Sequence, residues 1–252
     1  MSSVTPIISL EDLTVRYGDD ARSVWALRGV SLDISAGEFV SITGPSGSGK
    51  TTLLNAIAGL EIPTSGDVVV DGHSLRALSE SALARMRRTT VGYVFQFFGL
   101  LPMLDARDNV AVPLRAEGLG RSEIEDRVGR ALAAVGMSQR ARHYPDELSG
   151  GEMQRVAIAR VLATEARILL ADEPTGNLDR ARGEDVLELL RSTCRDHGRT
   201  VVLVTHDLLA AAHADRIITL RDGQIENDVR AGESTENVVE LPTRPRQPID
   251  DE

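Results

Sequence analysis

The sequence is poor in cysteine and in aromatic residues. Its one cysteine, Cys194, excludes an internal disulfide, and we assign it no role. Aromatic residues make up 3% of the 252 residues, whereas hydrophobic residues as a whole make up 42%. The chain therefore has enough apolar material for a proper core, and that core must be packed mainly from aliphatic side chains.

Long apolar runs are also absent. No stretch approaches the roughly 18 to 20 apolar residues that a membrane-spanning helix needs. The first residues also lack the charged and then apolar pattern of a signal segment. We therefore expect a cytosolic chain whose association with a membrane comes through another protein.

Positive charge is scarce, since 28 Lys and Arg face 38 Asp and Glu for a net charge of −10. Binding to a phosphate backbone needs clustered cations, so this balance disfavours a nucleic-acid partner. From Glu226 onward there are eight acids, three arginines and three prolines. We predict that residues 229–252 form an acidic, disordered tail, with a regulatory or partner-binding segment as the alternative.

Two glycine-rich motifs stand out, and the first is GPSGSGKT at residues 44–51. An apolar, β-branched stretch precedes it and a predicted helix, 50–60, follows it, which is the context that a phosphate loop requires. Its glycines let backbone amides point at phosphate oxygens. Lys50 would reach the β and γ phosphates, and the Thr51 hydroxyl would bind Mg²⁺. The predicted phosphate-binding residues are Gly44, Pro45, Ser46, Gly47, Ser48, Gly49, Lys50, Thr51 and Thr52.

An apolar stretch at residues 167–173 predicts a buried strand that ends in two carboxylates, Asp172 and Glu173. Open α/β sheets bind ligands at the carboxyl ends of their strands, so Asp172 can hold Mg²⁺ there. Glu173 is placed to polarise a water for attack on the γ phosphate. The alternative for Glu173 is a helix-capping or solvated acid.

The second glycine-rich motif is LSGGE at residues 148–152. Ser149, Gly150 and Gly151 precede a predicted helix, 152–162, so a hydroxyl and bare backbone amides lie at a helix N-terminus, which favours an anion. A simple capping serine is the alternative. His206 follows another predicted buried strand, 200–204, and a structural role is its alternative.

These motifs together resemble the nucleotide-binding subunit of an ATP-binding cassette (ABC) transporter over roughly residues 8–226. The segments occur in the family's order: VRYG with Tyr17, the phosphate loop, VFQ with Gln96, LSGGEMQR, LLADEP, GNLD, and THD with His206.

The resemblance implies roles for several residues. Tyr17 would stack on adenine, although it could be an ordinary strand aromatic. Gln96 would complete the Mg²⁺ and water shell, and His206 would contact the γ phosphate and orient the attacking water. Ser149 to Glu152 would close over the ATP of a partner, so that two copies, or this chain and a related cassette, sandwich two ATP molecules head to tail.

The resemblance and the alternation of elements together predict an α/β fold, a P-loop NTPase of the ABC type. We expect a parallel core sheet, an N-terminal antiparallel β subdomain at 8–34 with a further strand at 67–71, and an inserted helical subdomain at about 97–150. Helices are predicted at 106–116 and 122–135, and the ATP-binding domain at 1–228. The length argues against two-cassette translation factors, and the absence of heptads argues against coiled-coil chromosome ATPases.

Within the family, residues 37–42, 95–102 and 171–179 resemble the LolD, MacB and FtsE group. Those ATPases pair with FtsX-like integral membrane permeases at the cytoplasmic face, for export of lipoproteins or hydrophobic compounds or for mechanical signalling. The apolar segment 97–102 is either the floor of a groove for a permease helix or part of the insert core. An importer ATPase, a regulatory ATPase controlling a cell-wall hydrolase, and a soluble assembly ATPase remain alternatives.

Overall fold

The computed structural model describes residues 5–18 and 23–231, and it contains two sheets. The smaller sheet is antiparallel, with the strand order β2-β1-β4-β5. Its strands are β1 (Ile8–Tyr17), β2 (Val24–Ile34), β4 (Ser65–Val70) and β5 (His73–Ser74). The predicted antiparallel β subdomain is confirmed.

The larger sheet has the strand order β10-β9-β3-β8-β7-β6, and its five strands from β9 to β6 are parallel. Its strands are β3 (Phe39–Thr43), β6 (Val91–Val94), β7 (Ile168–Asp172), β8 (Thr200–Val204), β9 (Arg216–Arg221) and β10 (Gln224–Arg230). All residues of β3, β7 and β8 are buried, as expected for strands covered on both faces.

Strand β10 pairs antiparallel with β9 and extends past the boundary that we placed at residue 228. Arg216 holds the end of this strand, because its guanidinium donates to both carboxylate oxygens of Asp228 at 2.6 and 2.5 Å. The predicted acidic tail lies outside the described residues from residue 232 onward.

Seven α-helices occur in the described part of the chain: α1 (Lys50–Ile57), α2 (Glu80–Thr89), α3 (Ala106–Glu117), α4 (Arg121–Ala134), α5 (Gly150–Ala163), α6 (Arg180–His197) and α7 (Leu208–Ala211). Helices α3 and α4 match the predicted insert helices, and both pack against α5. Helix α1 is shorter than predicted, because Gly59 adopts a positive φ and its amide turns back to Ala56 O. None of these helices is both long and apolar enough to cross a membrane.

The large sheet separates two hydrophobic cores. Along β7, Ile168 and Leu170 point into the core shared with the antiparallel sheet and α1, whereas Leu169 and Ala171 point into the core shared with α3 to α6. This is the period-2 alternation of a strand that is buried on both faces. The sheet therefore presents only its strand ends, and not its faces, to a ligand.

Candidate nucleotide-binding site

The phosphate loop connects the carboxyl end of β3 to the first turn of α1 and fits closely against its neighbours. A Cβ at Gly44 would lie 2.0 Å from the carbonyl oxygen of Leu220, and a Cβ at Gly49 would lie 2.3 Å from that of Ala26. Both glycines also have positive φ, at 144° and 102°. Only glycine can occupy these two positions without moving the backbone.

Lys50 lies over this loop, where its ammonium donates to the carbonyl oxygens of Gly44 and Pro45, both at 2.9 Å. Burial lowers the pKa of Lys50, while Glu173 and Asp172 act in the opposite direction. Next to it, the Thr51 hydroxyl donates to Oδ1 of Asp172 at 3.3 Å. The phosphate loop and the carboxylate strand, 121 residues apart in sequence, therefore meet at one site.

Asp172 ends β7 in a largely buried position. Burial raises the pKa of Asp172, and hydrogen bonding from Thr51 partly opposes this. Its carboxylate also interacts with the hydroxyl of Tyr93, on the neighbouring strand β6. Our sequence analysis did not identify Tyr93, because it sits within an apolar strand and no motif marks it.

Glu173 follows β7 with a φ of 44°, a left-handed conformation that is uncommon outside glycine. Its amide donates to Val204 O at 2.9 Å, and its carboxylate Oε2 lies 2.9 Å from Nδ1 of His206. Because β7 and β8 are adjacent and parallel, both side chains emerge at the same edge of the sheet. The structure thus brings Glu173 and His206 together, and the Glu173 carboxylate lies close enough to Lys50 to act on its charge.

Gln96 follows β6 and reaches the same edge. The main-chain carbonyl oxygen of Gln96 accepts a hydrogen bond from the side-chain amide of Asn177 at 3.1 Å. A Cβ built at Gly176 would lie 3.4 Å from Glu173 Oε2 and 3.7 Å from Gln96 Nε2, so these two side chains converge on Gly176. Asn177, within the GNLD segment, is a contact to which the sequence analysis gave no role.

Tyr17 ends β1 and is 42% exposed. Its hydroxyl donates to Glu61 Oε2 at 2.6 Å and also interacts with Thr52 on α1. Burial and the Glu61 contact raise the pKa of Tyr17. The predicted adenine-stacking residue is therefore tied to the helix that carries the phosphate loop.

The LSGGE segment forms the start of α5. Ser149 is the N-cap, its hydroxyl accepting from the Glu152 amide at 3.4 Å, and the Glu152 carboxylate accepts from the Ser149 amide at 2.9 Å. These hydrogen bonds lower the pKa of Glu152. The capping role, our alternative for Ser149, is thus present. In residues 5–18 and 23–231, no hydrogen bond or ion pair joins this segment to the phosphate loop.

The donor set fits Mg²⁺ and a nucleotide triphosphate. Thr51, Asp172 and Gln96 supply hard oxygen donors, and only one of them, Asp172, is a carboxylate. Mg²⁺ is typically bound through one or two carboxylates together with phosphate oxygens and water. No cluster of three or more His, Cys, Asp or Glu that could hold a metal occurs in the described residues. In the phosphate loop, the buried Ser48 hydroxyl has no hydrogen-bond partner in the protein, so a polar group remains to be satisfied there.

Residues 27–176 match the protein family described as ABC transporter. The chain belongs to this family. It is 45% identical to the lipoprotein-releasing system ATP-binding protein LolD 2 of Caulobacter vibrioides over 221 residues, covering 88% of this chain and 97% of that protein. It is 44% identical over 243 residues to the macrolide export ATP-binding/permease protein MacB of Brucella melitensis. That match covers 96% of this chain but only 37% of MacB, so the chain spans about a third of that relative.

Among solved structures, the chain is similar to a dimeric post-hydrolysis state of the ATP-binding cassette MJ0796 bound to ADP and Pi. MJ0796 comes from Methanocaldococcus jannaschii. The TM-score is 0.83 at 42% identity, and the match covers 88% of this chain and 98% of that one. The predicted fold class and the resemblance to the LolD, MacB and FtsE group are confirmed. The chain is an ATPase cassette of the ABC transporter family.

Proposed function

We propose that this ABC cassette hydrolyses Mg²⁺-bound ATP in a head-to-tail pair of cassettes and thereby drives an FtsX-like integral membrane permease from the cytoplasmic face of the cell membrane. The output is export of a lipoprotein, hydrophobic compound or peptide, or transmission of force. The observation that carries the proposal is the separation of two phosphate-binding elements in one chain. The phosphate loop lies beside the proposed catalytic carboxylate, whereas within residues 5–18 and 23–231 no hydrogen bond joins the start of α5 to the phosphate loop.

The residues at the sheet edge divide the chemistry among them. Lys50 leaves the loop carbonyls to bind phosphate oxygens, and the loop amides complete the anion cradle. Thr51, Asp172 and Gln96 would hold Mg²⁺, which would supply positive charge to neutralise the phosphate oxygens. Glu173 orients and polarises the attacking water, and His206 holds the Glu173 carboxylate in place. Tyr17 stacks on the adenine ring.

The start of α5 serves the partner's nucleotide. The amides of Gly150 and Gly151 point along the helix axis, where the helix dipole favours an anion. Ser149 and Glu152 fix this end through their reciprocal hydrogen bonds. In the dimer, the start of α5 in each copy faces the phosphate loop of the other copy. Two ATP molecules therefore lie between the copies and hold them together.

A cavity of about 320 Å³ provides the contact for the permease. It lies between the strand end at Tyr93 and Phe95 and the helix α3 residues Val112 and Pro113. Beside it the side chain of Phe97 is 76% exposed, whereas Leu100 packs into the helical core. The exposure of Phe97 supports the groove interpretation of segment 97–102, and the packing of Leu100 is compatible with the core interpretation. An amphipathic permease helix would bury the exposed apolar side chains in this groove.

The test is to purify the tagged chain from its native membrane in mild detergent and to identify what accompanies it. We expect a permease of the FtsX type with four membrane helices. A multi-helix importer permease with a solute-binding protein would replace the proposal by the importer alternative. A cell-wall hydrolase, with no ATP-dependent movement of substrate in vesicles, would support the regulatory alternative. A stable complex without any membrane protein would overturn the permease assignment.

A further inference from the structure

Tyr93 lies between the ATP site and the apolar cavity. Its ring lines the cavity and stacks on Phe95, with ring centroids 4.4 Å apart and an interplanar angle of 25°. Its hydroxyl points the other way, donating to Asn55 Oδ1 of α1 at 3.0 Å and interacting with the Asp172 carboxylate. One side chain therefore contacts both regions.

The hydroxyl of Tyr93 lies between two elements that would flank Mg²⁺. Asn55 lies on α1, the helix that begins with Lys50 and Thr51, and Asp172 ends β7. A phenylalanine would fill the same space without joining these two elements.

We propose that Tyr93 is a positioning residue, which rests on the proposed role of Asp172 as a Mg²⁺ ligand. Its hydroxyl sets the positions of Thr51 and Asp172 toward Mg²⁺, and its ring makes these positions depend on what occupies the apolar cavity. Partners that orient a metal ligand commonly change metal affinity by about 10 to 100-fold when they are removed. The ring of Tyr93 is held from the cavity side by Phe95, so a group that displaces Phe95 moves the hydroxyl as well.

The decisive variant is Tyr93→Phe, compared with wild type and with Tyr144→Phe as the matched control, since Tyr144 is exposed and remote from these contacts. Calorimetric titration with ATP gives the dissociation constant in excess Mg²⁺ and again in EDTA. A second titration varies Mg²⁺ at a fixed ATP concentration. We expect Tyr93→Phe to raise the Mg²⁺ concentration needed for half-maximal binding by about tenfold. Its ATP affinity in EDTA should equal that of wild type, and Tyr144→Phe should match wild type in every titration.

Two outcomes would overturn the positioning role. One is an unchanged Mg²⁺ requirement in Tyr93→Phe. The other is an equal loss of ATP affinity with and without Mg²⁺, because that would mean a general effect on the pocket. Failure of wild type itself to bind ATP more tightly with Mg²⁺ would instead count against the proposed function.

The link to the cavity is tested with Phe95→Ala in the same titrations. We expect this variant to raise the Mg²⁺ requirement less than Tyr93→Phe does, and the double variant to resemble Tyr93→Phe alone. Residues that act through one another show such non-additive effects, whereas independent residues give additive ones. Additive effects of the two substitutions would overturn the link while leaving the role of the hydroxyl intact.

Discussion

Nδ1 of His206 lies 2.9 Å from Oε2 of Glu173, although 33 residues separate them in sequence. The contact forms because β7 and β8 are neighbouring parallel strands whose chains both turn at the same edge. The left-handed backbone of Glu173 aims its carboxylate back over that edge, a strained conformation of the kind that recurs at functional sites. The pair is the centre of the proposed hydrolysis, and the first two predictions concern it.

Replacing Glu173 with Gln should lower steady-state ATP turnover by roughly 10²- to 10⁴-fold, because an amide is a poor proton acceptor for the attacking water. ATP binding should persist, and the variant should accumulate as an ATP-bound dimer in size-exclusion chromatography with light scattering. Glu188→Gln, an exposed position on α6, is the control and should behave as wild type. Wild-type turnover in Glu173→Gln would contradict the role of Glu173.

Replacing His206 with Ala should reduce turnover by about 10²-fold, because the Glu173 carboxylate would lose the group that orients it. Combined with Glu173→Gln it should cause little further loss, since the two residues act as a unit. Single-turnover rates with bound ATP measure this effect directly. His197→Gln, at the exposed end of α6, provides the comparison. Multiplicative losses in the double variant would mean that His206 acts independently of Glu173.

Two glycine substitutions should change stability in opposite directions. Gly49→Ala places a Cβ 2.3 Å from Ala26 O at positive φ and should cost more than about 2 kcal/mol of the free energy of unfolding. Gly129→Ala, at an exposed site on α4 where a Cβ meets nothing within 4 Å, should stabilise by about 0.5 to 1 kcal/mol. Urea unfolding of both variants and of wild type measures these changes in the free energy of unfolding. A Gly49→Ala variant as stable as wild type would show that the phosphate loop tolerates a side chain at residue 49.

The Glu152 cap should make stability depend on pH. The pKa of Glu152 in the folded chain is lowered from its usual 4.5 by the hydrogen bonds from Ser149. Its ionised form therefore stabilises the fold above pH 4.5, and this contribution is lost as the pH falls through the lowered pKa. Glu152→Gln keeps a side-chain oxygen that can accept from the Ser149 amide but removes the negative charge.

Urea unfolding at pH 7 and at pH 3 measures the cap. We expect wild type to exceed Glu152→Gln in stability at pH 7 and the difference to shrink at pH 3. Glu147→Gln, which changes the carboxylate of a separate short turn, is the comparison. A difference between wild type and Glu152→Gln that stays constant across this range would show that the charge of Glu152 plays no part.

Much of the fold could be predicted because its signals are local. The buried run before the phosphate loop became β3, and the helical spacing near residues 106 and 122 became α3 and α4. The helical spacing of apolar residues indicates α3 and α4, whereas the short length and β-branched residues of the apolar run indicate β3. We predicted no strand at β10, because its polar, acidic sequence carries no such period; it forms by pairing with β9, and Arg216 of β9 holds its end through Asp228.

The site divides in the same way. Motif residues such as Lys50, Asp172 and Ser149 could be named from the chain, because a phosphate loop, a carboxylate after a buried strand and a serine before a helix are each short patterns whose chemistry is local. The contacts of Tyr93 with Asn55 and Asp172, and that of Asn177 with Gln96, carry no comparable pattern.

The chain's order of residues thus determines which chemical groups are available and which local element carries each of them. The tertiary structure alone decides which groups meet, because strand order is set by long-range packing on the two faces of the sheet. That packing places β7 between β6 and β8, so that Tyr93, Asp172, Glu173 and His206 converge at one edge. The physical reason is that burying both faces of a parallel sheet leaves only the strand ends accessible to a ligand.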